Sequence, residues 1–213
     1  MPQNPIKSGN LNEIIADLEK EIKQHPNSVI AHHRLALAYW RAKRTDEAIA
    51  EFQKALEIDP TSYEIRINLG TLFFQLGRIE DGIRENKEAL KAHPGAADAM
   101  ANIGSAYMQL GKFKEAAEYL EEALNIKPEM VPALVNLSSV YVELDKLNEA
   151  VALAEKAVSL SPRFGLAYNN LAVAYYFKGD YKKAKEAMEK AKELGYPVHP
   201  EFESKVNEKV QNS

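Results

Sequence analysis

Asparagine is the residue whose placement in this chain most needs a chemical reason. Asn68, Asn102, Asn136 and Asn170 recur at one constant step, each inside a stretch with helical apolar spacing. The side-chain amide competes for nearby backbone groups, so asparagine is a poor choice for a helix interior. The same amide carries both a donor and an acceptor, and it can pair with the C=O and N–H of a peptide whatever that peptide's side chains are. Arg34 takes the same phase one step earlier, and Arg41 lies seven residues beyond it on the same helix face. Two guanidiniums so placed could hold an acidic side chain or a C-terminal carboxylate.

This is the chemistry of recognition rather than of catalysis. The five histidines, His25, His32, His33, His93 and His199, have no HExxH spacing, and no phosphate-cradling or nucleophile-elbow motif occurs. His25 and His93 precede prolines and read as loop residues. Carboxylate pairs such as Glu121 and Glu122 fall on a charged helix face. Without cysteine, the chain can form no disulfide, thiolate nucleophile or Cys-based metal site. The expectation is a protein that is not an enzyme and that needs no cofactor or metal.

The elements that position the asparagines follow from the period. Pro26, Pro60, Pro94, Pro128 and Pro162 keep the same step, thirty-four positions, as the asparagines. So do the aromatics Tyr39, Phe73, Tyr107, Tyr141 and Tyr175, and the aliphatics Leu35, Leu69, Ile103, Leu137 and Leu171. Two further columns hold small residues, Ala36, Gly70, Gly104, Ser138, Ala172 and Ala48, Gly82, Ala116, Ala150, Ala184. Within one unit, 97–130, Met100, Ile103, Tyr107 and Leu110 give one helix by three-four spacing. Gly111 suits a left-handed stop, a second helix follows from about Phe113 to Ile126, and proline ends it. Small residues let the two helix backbones approach closely while the Leu and Tyr columns fill the remaining space.

These columns, on a helix-turn-helix unit of this length, resemble the tetratricopeptide repeat. The resemblance covers five units, 29–62, 63–96, 97–130, 131–164 and 165–198. It implies an all-α, right-handed superhelical solenoid. Residues 1–10 read as a flexible N-terminus. Residues 11–28 read as a capping half-repeat with Leu11, Ile14, Ile15, Leu18 and Ile22 on one face, and 199–213 as a C-terminal capping helix and tail. Departures from the family pattern are visible. The usual early tryptophan is replaced by His32, Arg66, Met100, Leu134 and Tyr168. Asn86 stands where other units have Phe52, Leu120, Ala154 and Met188, which predicts looser packing there.

The resemblance also places the first helices on a concave face that receives partners. On that face the sixth column is Arg34, Asn68, Asn102, Asn136 and Asn170. With helices ~10 Å apart, the four asparagines would form a row roughly three such steps long, able to follow an extended peptide at ~3.3 Å per residue. This is similar to asparagine ladders of superhelical members of the family. The other reading of the row is inherited consensus, with the amides bonded locally or to water. Thr71, Ser105 and Ser139 in the ninth column leave room beside the row. The twelfth column, Trp40, Phe74, Met108, Val142 and Tyr176, is either an apolar recognition strip or half-buried between units. The clamp by which some family members hold a chaperone's C-terminal carboxylate needs Lys, Asn, Asn, Lys and a further base at set positions. In the first three units these are His33, Leu37, Asn68, Asp98 and Asn102, and only Asn68 fits, so no such clamp is expected.

Charge agrees with a protein partner. The net charge is −4, with 27 basic residues interspersed among 31 acidic ones, and no basic run suggests nucleic acid. No stretch of 18 apolar residues exists to enter a membrane. The expected role is a scaffold or adaptor binding an extended or helical segment of a protein partner, in the cytoplasm or peripherally on a membrane complex. The alternative is self-assembly into a homo-oligomer, or a permanent place in a larger assembly.

Overall fold

A computed structural model describes residues 11–212. The proposed flexible segment 1–10 lies outside the described residues. The described residues form twelve α-helices and no strand. In order they are α1 Leu11–Gln24, α2 Val29–Arg41, α3 Thr45–Ile58, α4 Tyr63–Gln75, α5 Ile79–Ala92, α6 Ala97–Gln109, α7 Phe113–Ile126, α8 Val131–Glu143, α9 Leu147–Leu160, α10 Gly165–Lys178, α11 Tyr181–Glu193 and α12 Pro200–Gln211. The chain divides into two compact units, Met1–Ala99 and Met100–Ser213, the division falling within α6.

In the first unit, Leu35, Tyr39, Phe52, Leu69, Leu72 and Phe73 build one core that also takes in Ile15 and Leu18 of α1. In the second, Leu120, Leu137 and Val140 join α7 to α8, while Leu171, Tyr175, Met188 and Val206 bind α10, α11 and α12 together. Val206 is fully buried, so α12 closes its end of that core with one apolar stripe.

The same backbone device ends each first helix of a pair. Lys43, Gly77, Gly111, Asp145 and Gly179, one to each repeat at the same phase, all have positive φ. The next amide then reaches back to the carbonyl of the aromatic column: Arg44 to Tyr39 at 2.9 Å, Lys112 to Tyr107 at 2.9 Å, Lys146 to Tyr141 at 2.8 Å. This is a Schellman closure, and the left-handed residue in it is normally glycine. The turn also sets a cation on the aromatic column, with the Arg44 and Arg78 guanidiniums 4.3 and 4.2 Å from the Tyr39 and Phe73 ring centres.

Tyrosine hydroxyls stitch consecutive repeats. Tyr39 donates to Glu19 at 2.7 Å, Tyr141 to Glu121 at 2.7 Å, and Tyr175 to Glu155. Burial first, and then the neighbouring carboxylate, push the Tyr39 phenol up to about 12 and raise Tyr141 and Tyr175 as well.

The second repeat is tight where the sequence suggests looseness. Asn86 is fully buried and its Nδ2 donates to the Gly82 carbonyl at 2.8 Å. A Cβ on Gly70 would lie 2.2 Å from that nitrogen, and one on Gly82 would lie 2.3 Å from the Phe74 ring. The two glycines and the two larger side chains are therefore one complementary set. The columns occupied by the absent tryptophan are also filled by polar means. His32 Nε2 lies 2.9 Å from the Pro26 carbonyl and its Nδ1 2.5 Å from Glu51. Arg66 repeats the pattern with Pro60 at 3.1 Å and Glu85 at 3.0 Å.

Two stability outcomes follow. Gly70→Ala lowers stability by about 1–3 kcal/mol through overpacking, although alanine is the better helix former; adding Asn86→Ala recovers part of that loss, and urea unfolding of the single and double variants measures the coupling. Lys43→Gly relieves a left-handed backbone at a site open to solvent and raises stability by about 0.5–1 kcal/mol. Asp145→Gly gains less, because aspartate tolerates that conformation better.

Candidate functional site

In the first unit, the proposed recognition residues lie on α2 and α4. Arg34 is exposed and reaches Glu21 of α1 at 3.4 Å, while Arg41 is exposed and has no ion-pair partner among the described residues. Asn68 is half-buried, its Nδ2 2.9 Å from His33 Nε2. Burial holds His33 below its ordinary pKa, against the opposing charge of Glu64. The neutral ring's Nε2 is therefore the acceptor and the Asn68 amide the donor. Thr71 Oγ1 donates to the Ile67 carbonyl at 2.8 Å, a back-bond within its own helix.

The second unit shows the logic of the row more fully. Ser105 Oγ donates to the Ala101 carbonyl at 2.8 Å, and Ser139 Oγ to the Val135 carbonyl at 3.3 Å. A hydroxyl has one proton, so each serine then offers only lone pairs to its neighbour in the next repeat. Asn136 Nδ2 donates to Ser105 Oγ at 2.8 Å, and Asn170 Nδ2 donates to Ser139 Oγ at 2.7 Å and to the Val135 carbonyl at 3.1 Å. The orientation of both amides is fixed by these acceptors. Their NH2 groups are tied to the preceding repeat, and their Oδ1 atoms accept no hydrogen bond among the described residues. Asn102 is half-buried in the same column.

The local bonding weighed from sequence is thus present for Asn68, Asn136 and Asn170, and it uses the donor half of each amide. The orientation of these amides has no counterpart in the repeat pattern. The signal that could have found the pairing is a constant separation of 31 positions between a ninth-column hydroxyl and the sixth-column amide one repeat on, Ser105 with Asn136 and Ser139 with Asn170.

The twelfth column is half-buried rather than a bare strip. Trp40 sets its ring edge-on to Phe52 at 6.3 Å and donates its Nε1 proton to Gln75 at 2.9 Å. Phe74 lies against Gly82, and Met108 packs on the core of α7 and α8. Tyr176 meets Phe177, Tyr181 and Phe202, each at 5.6 Å. Phe177 beside it is 58% exposed. No cluster of potential metal ligands occurs among the described residues, and none of the described helices is long and apolar enough to cross a membrane.

Comparison with known proteins agrees with the repeat fold. Models described as tetratricopeptide repeat match residues 29–62, 67–131, 131–164 and 165–195. No curated protein matches the chain. Among solved structures, the chain is similar to YrrB, described as a TPR protein with an unusual peptide-binding site, at 21% identity and a TM-score of 0.68 over 83% of this chain and 91% of that one. It is similar to MamA at 28% identity and 0.65, over 73% and 91% of the two chains. It is also similar to PilW, described as a widely conserved type IV pilus biogenesis factor, at 24% and 0.76, over 92% and 90%. Repeat period, paired helices, small-residue columns and matched models lead to one conclusion: the chain belongs to the tetratricopeptide repeat family.

Proposed function

We propose that this protein is a non-catalytic interaction scaffold that holds a segment of a protein partner against its first helices. The observation that carries the reading is the fixed orientation of the asparagine amides. Asn136 and Asn170 turn their NH2 groups to serine and backbone acceptors, and their Oδ1 atoms stay unpaired among the described residues. An unpaired carbonyl beside a helix is a ready acceptor for a backbone N–H. The row in the second unit therefore reads main-chain donors, a feature every peptide but a proline run supplies. Thr71, Ser105 and Ser139 act with it by holding small, already satisfied hydroxyls alongside. Trp40, Phe74, Met108 and Tyr176 give the face its apolar character through the half of each side chain left uncovered. YrrB, similar in fold, is described as having a peptide-binding site, which supports the same class of role here.

Replacing Asn102, Asn136 and Asn170 together by Ala tests the reading. Each lost hydrogen bond costs about 0.5–1.5 kcal/mol, so a partner captured on the wild-type protein binds the variant at least about tenfold more weakly by titration calorimetry. Lowered unfolding stability with unchanged partner affinity would show that the amides serve only the stack. In the first unit the contribution of Asn68 depends on pH. The His33 pKa is depressed by burial, so the stability it contributes is full above its ordinary value of about 6.5 and is lost as pH falls toward its folded value. Protonation also turns Nε2 into a donor that competes for the Asn68 Oδ1. An NMR titration should place the His33 midpoint below 6.5, and partner binding that uses Asn68 should weaken across that same range.

A further inference from the structure

The first unit holds a seat for a helix that no described residue fills. Helix α1 stands one repeat before α3, and α2 one repeat before α4, so α1 and α2 are the counterpart of α3 and α4. Upon α3 and α4 a helix is seated, namely α2. Its His33 and Trp40 rings lie 5.9 and 6.3 Å from Phe52. His33 bonds Asn68 and Trp40 bonds Gln75. Shifted back by one repeat, Phe52 becomes Leu18, Asn68 becomes Arg34 and Gln75 becomes Arg41. Those three residues, with Leu11, Ile14 and Leu37, line an open cleft of about 330 Å³. Leu18 is its buried floor, and Leu11, Ile14 and Leu37 are its half-buried walls.

The rim sets the charge of the occupant. Where the filled seat offers two neutral amides, this one offers two exposed guanidiniums. Arg41 has no ion-pair partner among the described residues, and Arg34 has only a long, solvent-exposed pair with Glu21 at 3.4 Å, of a kind that contributes little. His33 and Trp40 are seven residues apart, so the counterpart positions on an incoming helix are also seven apart. We infer that the cleft between α1 and α2 receives an amphipathic helix of a protein partner, apolar on one stripe and carrying two carboxylates at i and i+7 that meet Arg34 and Arg41. The cleft continues the first-helix face at Arg34 and so deepens the proposed scaffold role; its test reads charge at Arg34 and Arg41, whereas that role is tested at Asn102, Asn136 and Asn170, and the two can fail separately.

A designed peptide tests this on the full chain. The probe is a fluorescein-labelled, capped peptide of residues 28–42, the helix that fills the equivalent seat, with glutamate in place of His33 and Trp40. Fluorescence anisotropy should show saturable binding, and the same peptide with lysine at both places should bind at least about tenfold more weakly. The protein variant R34E/R41E, changed only at exposed positions, should reverse that preference, and Ile14→Glu should abolish binding of both peptides. Absence of saturable binding, or a preference that R34E/R41E leaves unchanged, overturns the inference. Two other occupants would also overturn it. An affinity gain with Ile6→Lys, which sets a cation at the Trp40 counterpart opposite Arg41, would assign the cleft to the chain's own N-terminus. Sedimentation showing a dimer that Ile14→Glu disperses would assign it to a second copy.

Discussion

The contact on which the rest of this protein depends is the approach of one helix backbone to the next at the small-residue columns. Ala36, Ala48, Ala116, Ala150, Ala172 and Ala184 are wholly buried. A Cβ on Gly104 would lie 3.1 Å from the Ala116 carbonyl, and one on Gly70 would lie 3.0 Å from that of Gly82. In the fourth repeat Ser138 turns the same approach into a hydrogen bond, its Oγ 2.8 Å from the Ala150 carbonyl. Helices this close leave little room for large side chains at the crossing. The aromatic and aliphatic columns are thereby displaced to either side, where they become the core.

That spacing determines what the first helices can present. Their buried stripe is fixed by the crossing, and the opposite stripe carries the sixth and ninth columns. There a serine back-bonded to its own helix can only accept, so the asparagine of the next repeat must donate to it, as Asn136 does to Ser105 and Asn170 to Ser139. An ordering of protons within the repeat thus decides which atom of the Asn136 and Asn170 amides accepts no hydrogen bond among the described residues. The same crossing explains the seat at α1 and α2. Among the described residues no first helix is paired with α1, and the flank between α1 and α2 is left uncovered there.

Much of this was legible in the sequence, because the period is a strict count. The ten helices of the five repeats, the left-handed stop at Gly111 and the buried columns follow from residue types that return at the same phase of every repeat. Compensation within one repeat was not legible. Asn86 looked like a packing defect when compared column by column with Phe52 and Leu120. In three dimensions Gly70 admits its amide and Gly82 supplies the carbonyl it bonds, while Phe74 takes the space at Gly82. The exposed apolar strip weighed for the twelfth column also needed tertiary information. Trp40 and Tyr176 find rings from other helices, Phe52 in one case and Phe202 in the other, which their own helices do not reveal.

Sequence by itself therefore determined the family, the pairing of helices and the face on which each column lies, since helical periodicity and a fixed repeat length leave little freedom in these. Tertiary structure decided the orientation of the asparagine amides, the tight fit of Asn86 and the open seat between α1 and α2. Each of these depends on which atom of a distant residue arrives within hydrogen-bonding or van der Waals distance. Such distances belong to the packing of helices against one another, and no periodicity along a single chain specifies them.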